Sequence, residues 1–209
     1  MKVAIGYVYP LVQARTYYAS AQRFAQTYQR FPADYPHELH ILANGHEPTR
    51  NELAPFAGVT AQIHPYDNTG WDIGAFQRFA ESADCDLLVC FGAKCHFHRS
   101  GWLAAMVDAV CEHGAGLFGC TAYVGHLTHV RTTSFWFPPQ LLRSYPAYIG
   151  TSRSSRYEFE HGKTSFTHHV LGLGFPVVMA TWGGSYLYPD WHNHAPDRNS
   201  ILVRDQHIA

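Results

Sequence analysis

The chain lacks any stretch of about 18 apolar residues, so the sequence holds no candidate transmembrane helix. It is also poor in charge. Asp, Glu, Lys and Arg make up 15% of its 209 residues, and 15 basic against 16 acidic residues leave a net charge of -1. A general nucleic-acid binder is usually basic, so phosphate-backbone binding is disfavoured. No charged tail suggests a charged partner. With 46% hydrophobic residues, the shortage of charge excludes disorder and coiled coil. The five cysteines (Cys85, Cys90, Cys95, Cys111, Cys120) are odd in number and have no CxxC spacing, so free thiols in a reducing compartment are expected. The opening MKVAIGYVYP has too short an apolar run for a signal peptide, and a cytoplasmic protein is expected. There is no repeat, low-complexity tract or linker, and the length suits a single domain over 1–209.

What is present alternates. Apolar runs predict strands over 3–9, 37–45, 59–64, 86–91 and 116–121, with helical spacing over 14–30, 75–83 and 103–111. Such alternation predicts an α/β fold with a mainly parallel sheet. The later chain is less regular: a strand at 135–137, short helices at 140–144 and 164–173, a strand at 176–181, a polar Ser/Arg loop over 151–156, and a polar tail from Asp190 onwards. Ligands in these folds sit beyond the carboxyl ends of the strands, where this sequence places Asn44-Gly45, 68–74 and 92–98.

Four constellations could carry chemistry. In Asn68-x-Gly70-x-Asp72-x-Gly74 the glycines allow close backbone approach, the next helix offers free N–H groups to an anion, and Asn68 and Asp72 can bond hydroxyls. The same residues read equally well as a tight turn with Asp72 as N-cap. Glu158 and Glu160 share one face if the chain is extended, and either can serve as a base; a solvated loop is the alternative. Fifteen histidines include the pairs His96/His98, His168/His169 and His192/His194, which suit zinc or manganese or are simply hydrogen-bonded. In the 131–137 segment, Arg131 can clamp an anion, Thr132 can bind sugar or acceptor oxygens, and Trp136 can stack on a sugar face; a core strand is the rival reading. Trp71, Trp182 and Trp191 also border polar segments.

The order of these elements resembles the GT-A-type glycosyltransferases, particularly the family-2-like and rhamnan-synthesis-type enzymes, over roughly the whole chain. The resemblance implies a GT-A-like Rossmann-related sandwich, with residues 1–121 as the nucleotide-sugar half and 122–209 as the acceptor-side half. It matches Asn44-Gly45 to a nucleotide contact and Asn68 through Gly74 to the family's Asn-x-Gly segment. The strand over 86–91 matches the one that ends in the family's metal-binding Asp-x-Asp, but Gly92-Ala93-Lys94 stands in that place. Donor contacts are therefore expected from Asn44, Asn68, Gly70 and Asp72, with Lys94 and Arg131 offsetting diphosphate charge. Counting back from Gly174 puts Glu160 at the position of the family's base, with Glu158 in reserve. Asp205-Gln206-His207 matches a C-terminal histidine that contacts metal or diphosphate, so His207 is the metal candidate, with Mn2+ or Mg2+ as the ion if one is used.

The resulting expectation is a transferase moving a sugar from a nucleoside-diphosphate donor to a glycan or lipid-linked acceptor, with inversion, and able to dispense with metal. The rivals are a non-catalytic nucleotide-sugar-binding module and a histidine-based metal-dependent hydrolase. The aromatic surface leaves room for a homodimer.

Overall fold

A computed structural model describes residues 1–194 and 197–205. The chain runs β1 (Val3–Pro10), α1 (Ala14–Arg30), β2 (Glu38–Asn44), β3 (Gln62–Tyr66), α2 (Trp71–Ser82), β4 (Leu87–Phe91), α3 (Trp102–His113), β5 (Leu117–Gly119), β6 (Ala122–Tyr123), β7 (His129–Val130), β8 (Ser134–Phe137), α4 (Pro139–Arg143), α5 (Arg153–His161), α6 (Phe166–Gly172), β9 (Val177–Thr181) and β10 (Gly184–Leu187). Eight strands form one sheet in the order β10-β9-β5-β8-β4-β1-β2-β3, and β6 and β7 form a separate pair. β1, β2, β3 and β4 run parallel, as do β5 and β9; β8 and β10 run against their neighbours. The expected α/β sandwich with a mainly parallel sheet is the fold observed.

β1 shows why the sheet must be covered on both faces. Ile5, Tyr7 and Tyr9 pack with Phe24, Phe91 and Trp102 under α1 and α3, while Ala4 and Val8 pack with Leu42, Phe76 and Phe79 under α2. Successive side chains of a strand point to opposite faces, and apolar residues at every position leave neither face fit for water. Each large side chain buried this way contributes about 1.5–3 kcal/mol.

Four sequence expectations need correction. β3 lies over Gln62–Tyr66 rather than 59–64, because pairing with β2 sets its register, with Ile63 opposite Ile41. α2 starts at Trp71, four positions before the expected 75, and its N-cap is Gly70 rather than Asp72. The Ser/Arg stretch read as a loop opens α5: Ser152 caps it by accepting a hydrogen bond from the Ser154 amide at 3.2 Å. α5 has one buried residue, Phe159, stacked on Phe166 at 5.4 Å, and a single anchor gives almost no periodic signal. The tail read as polar buries Trp191, Ile201, Leu202 and Val203, and the His96–Arg204 bridge ties it to the residues after β4. No helix among the described residues is long and apolar enough to cross a membrane.

Candidate active site

At the carboxyl ends of β1, β2 and β4 lies a cavity of about 380 Å³, lined among others by Asn44, Asn68, Trp71, Asp72, Lys94 and Arg156. It is the strand-end crevice of an open α/β sheet.

Its floor is a strained turn. Asn68, Gly70 and Trp71 have φ of +65°, +76° and +51°. Gly70 is required there, since a Cβ would lie 2.2 Å from the Ile149 carbonyl oxygen in addition to the positive φ. Gly74 is required for another reason: a Cβ would meet the Thr69 carbonyl oxygen at 2.1 Å. Asn44, the last residue of β2, locks the turn from below. Its Nδ2 donates to Asn68 Oδ1 and to the Trp71 carbonyl, both at 2.8 Å. A carbonyl only accepts, so the facing atom must be the amide nitrogen. Asn44 is 1% exposed, and its Oδ1 is buried without a hydrogen-bond partner. Asn44 thus holds the turn that presents Asn68 and Trp71 to the cavity.

Charge enters from four parts of the chain. Asp72, in the first turn of α2, has its Oδ1 3.6 Å from Arg156 Nε of α5. Burial raises the Asp72 carboxyl above the usual range; Arg156 pulls it down and Glu160 pushes it up. Lys94 follows β4, and its Nζ sits 5.5 Å from the centre of the Tyr17 ring. Asp205 lines the cavity from the C-terminal segment that the bridge to His96 brings in.

A second cavity, about 420 Å³, is lined by Trp71, Arg153, Arg156, Tyr157, Glu160 and His161. Trp71 and Arg156 line both cavities. Glu160 is held by the Thr132 amide, which donates to its Oε1 at 3.1 Å, while Oε2 lies 3.2 Å from His161 Nε2.

The fold therefore gathers Asn44, Asn68, Asp72 and Lys94 around one cavity and puts Glu160 on the next. Thr132 holds Glu160 through its backbone amide but is buried and lines neither cavity, so its hydroxyl is not the sugar contact expected. Glu158 and Glu160 do not share a face. In a helix two residues apart means about 200° of rotation, and Glu158 turns away to accept from the Thr164 amide and hydroxyl at 2.9 and 2.7 Å. Trp136 is fully buried in β8, its ring stacked 5.7 Å from Phe118, so no face is left for a sugar. The Arg131 amide bonds the Thr121 carbonyl, and the residue lines neither cavity. Trp191 is core; Trp182 lies under the Arg99 guanidinium at 4.3 Å. His207 lies outside the described residues.

Four of the paired histidines are engaged elsewhere. His98 Nε2 bonds the Ile201 carbonyl, His168 bonds Ser165, His169 bonds Ser144, and His194 stacks on Tyr186. None of these belongs to a three-donor metal cluster among the described residues. The residues after β4 do not fit a divalent ion: Gly92 and Ala93 offer no side-chain donor, and a protonated Lys94 cannot ligate one. The three-donor cluster that does occur is His129, Glu160 and His161.

Arg156, Tyr17 and His129 are site residues that the sequence did not disclose. Arg156 was hidden by the loop-like composition around it. Tyr17 reads as one more apolar position of α1. His129 sits in a two-residue strand with no pattern to single it out.

No protein-family profile and no curated protein matches the chain by sequence. Solved structures do match it by shape. The mannosyltransferase PcManGT from Pyrobaculum calidifontis, in complex with GDP-Man and Mn2+, superposes with a TM-score of 0.59 at 12% identity, over 85% of this chain and 54% of that one. Apo mouse xyloside xylosyltransferase 1 gives 0.53 at 7% identity, over 84% and 82%. S. aureus TarS gives 0.55 at 11% identity; the match covers 82% of this chain but only 34% of TarS. With its sheet order and strand-end cavity, the chain has a GT-A-like glycosyltransferase fold.

Proposed function

We propose that this protein is a glycosyltransferase that moves a sugar from a nucleoside-diphosphate donor to a glycan or lipid-linked acceptor. The observation that carries this reading is the pair of adjoining cavities with a shared Trp71–Arg156 wall, one lined by Lys94 and Arg156 and the other by Glu160. The first takes the donor. Lys94 and Arg156 offset the diphosphate, as a guanidinium and an ammonium do where no metal is held. The start of α2 adds its positive dipole end. Asn68 and Asp72 bond hydroxyls of the donor, and Gly70 lets the backbone approach. The second cavity takes the acceptor.

Chemistry follows as an in-line displacement. Glu160 removes the acceptor hydroxyl proton, the oxygen forms a bond to the anomeric carbon, and the bond to the diphosphate oxygen breaks. The electron pair leaves with the nucleoside diphosphate, which Lys94 and Arg156 stabilise. Attack opposite the leaving group inverts the anomeric centre. The assignment extends the sequence resemblance to the family-2-like and rhamnan-synthesis-type enzymes.

One observation favours a second reading. Gly92-Ala93-Lys94 supplies no acidic ligand where the family holds its metal, which suits a module that binds the donor without transfer.

A thermal-shift panel of UDP, GDP, TDP and CDP, with and without manganese, tests both. A ligand at about a hundred times its Kd stabilises by roughly 2.7 kcal/mol. The transferase reading expects one diphosphate to shift the midpoint, the shift to fall in Lys94→Ala and Arg156→Ala, and turnover to fall by about 10²–10⁴ in Glu160→Gln while Glu158→Gln stays active. Binding without turnover would leave the module. No shift with any diphosphate would end both readings.

A further inference from the structure

We infer that His129, Glu160 and His161 form a binding site for a zinc-like transition-metal ion, open to the second cavity.

Three observations carry it. The donor atoms of the three residues lie within 4.8 Å of one another. His129 is 1% exposed, and its tautomer is set: Nδ1 donates to the Leu127 carbonyl at 2.7 Å, which leaves the Nε2 lone pair. That Nε2 is buried and has no hydrogen-bond partner. A ring nitrogen bonded to a backbone carbonyl, with the other nitrogen bare, is how metal-bound histidines are oriented. Tyr123 stacks on the His129 ring at 5.2 Å, and the His161 ring meets it edge-on at 4.5 Å.

Glu160 completes the set. The Thr132 amide fixes Oε1, and Oε2 points toward His161. Two imidazoles and one carboxylate suit zinc, with a further position open to solvent or ligand. Tetrahedral bonds of about 2.0–2.1 Å place donors about 3.4 Å apart, so the cluster must close by up to an ångström or so. His161 and Glu160 have side chains 36% and 15% exposed, so they can rotate inward onto the fixed His129. Arg131 is a nearby positive charge that opposes the ion, and the Glu160 carboxylate counters it.

With zinc bound, Oε2 serves the ion, so Glu160 can act as a base only in the metal-free protein. The site shares Glu160 with the sugar-transfer reading, but its readouts need no sugar nucleotide, so the two can fail separately.

The test is a titration of the full chain with Zn2+ by calorimetry and with Co2+ by visible absorption. One ion per chain and a d–d spectrum of low-symmetry cobalt are expected. His161→Ala and Glu160→Gln, checked by circular dichroism to be folded, should each weaken zinc by about a hundredfold or more, since even outer-shell changes cost 10–100-fold. His129→Gln should do the same if it folds; the other two variants decide the matter if it does not. No binding at millimolar zinc, or an affinity unchanged in His161→Ala and Glu160→Gln, overturns the site. Nucleoside-diphosphate binding, measured separately, shows whether the donor cavity survives that result.

Discussion

Replacing Asn44 by Ala should damage the strand-end cavity by releasing the turn that forms its floor. The substitution removes the two 2.8 Å hydrogen bonds from Nδ2 to Asn68 Oδ1 and the Trp71 carbonyl. Each is worth about 1 kcal/mol net, and buried partners left unmet add to that. Against this, the unpartnered Oδ1 disappears, which returns part of one desolvation penalty. Two lost bonds outweigh one relieved acceptor, so the net loss is about 2 kcal/mol. In a domain of this size that lowers Tm by about 4–8 °C. The loss should also be local. Trp71 sits at φ +51°, a left-handed conformation that costs a bulky residue about 1–2 kcal/mol, and the Asn44 amide is what opposes its relaxation. Asn44→Asp is the control. It keeps the shape but sets an oxygen against the Trp71 carbonyl, and it should destabilise more than Ala. Thermal melts and nucleoside-diphosphate titrations of both variants are the assays. An Asn44→Ala protein that melts within about 1 °C of the parent and binds equally well would refute the argument.

Two further predictions concern the rest of the molecule. Burial and the neighbouring His64 push His40 down to about 4 from 6.5, and His64 is itself lowered. The unfolded chain therefore binds the proton first, so stability is full above pH 6.5 and is lost as pH falls toward 4. Urea unfolding should show about 2 kcal/mol less stability at pH 5 than at pH 7 from this one group, and His40→Gln should flatten that slope; an unchanged slope would remove His40 as the cause. Trp136→Phe should lower stability by about 1–3 kcal/mol, since it leaves a cavity beside Phe118, while nucleoside-diphosphate affinity stays the same. A variant with parental stability and weakened binding would return Trp136 to the site.

Much of the fold was legible in one dimension. α1 begins and ends where its 3.6-residue spacing over 14–30 predicts. β4 reads as a buried parallel strand because all of its residues are apolar, as a sheet covered on both faces demands. Asn44, Asn68, Asp72 and Lys94 were visible because strand ends and glycine-rich turns have local chemical signatures. Local pattern was also what misled: Glu158 and Glu160 share a face only if the chain is extended, and a stretch of Ser and Arg looks like a loop when one phenylalanine anchors the helix.

Tertiary structure alone decided the partnerships. Which carboxylate faces a cavity depended on Thr164 taking one and the Thr132 amide holding the other. That Trp136 fills the core rather than a sugar site was decided by β8 lying between β4 and β5, where both faces are covered. His129, Glu160 and His161 converge only because β7 packs against α5, a contact spanning about thirty residues that no spacing rule encodes. Periodicity reports which face of an element is dry; it carries no information about which element lies opposite, and the site is made of those opposites.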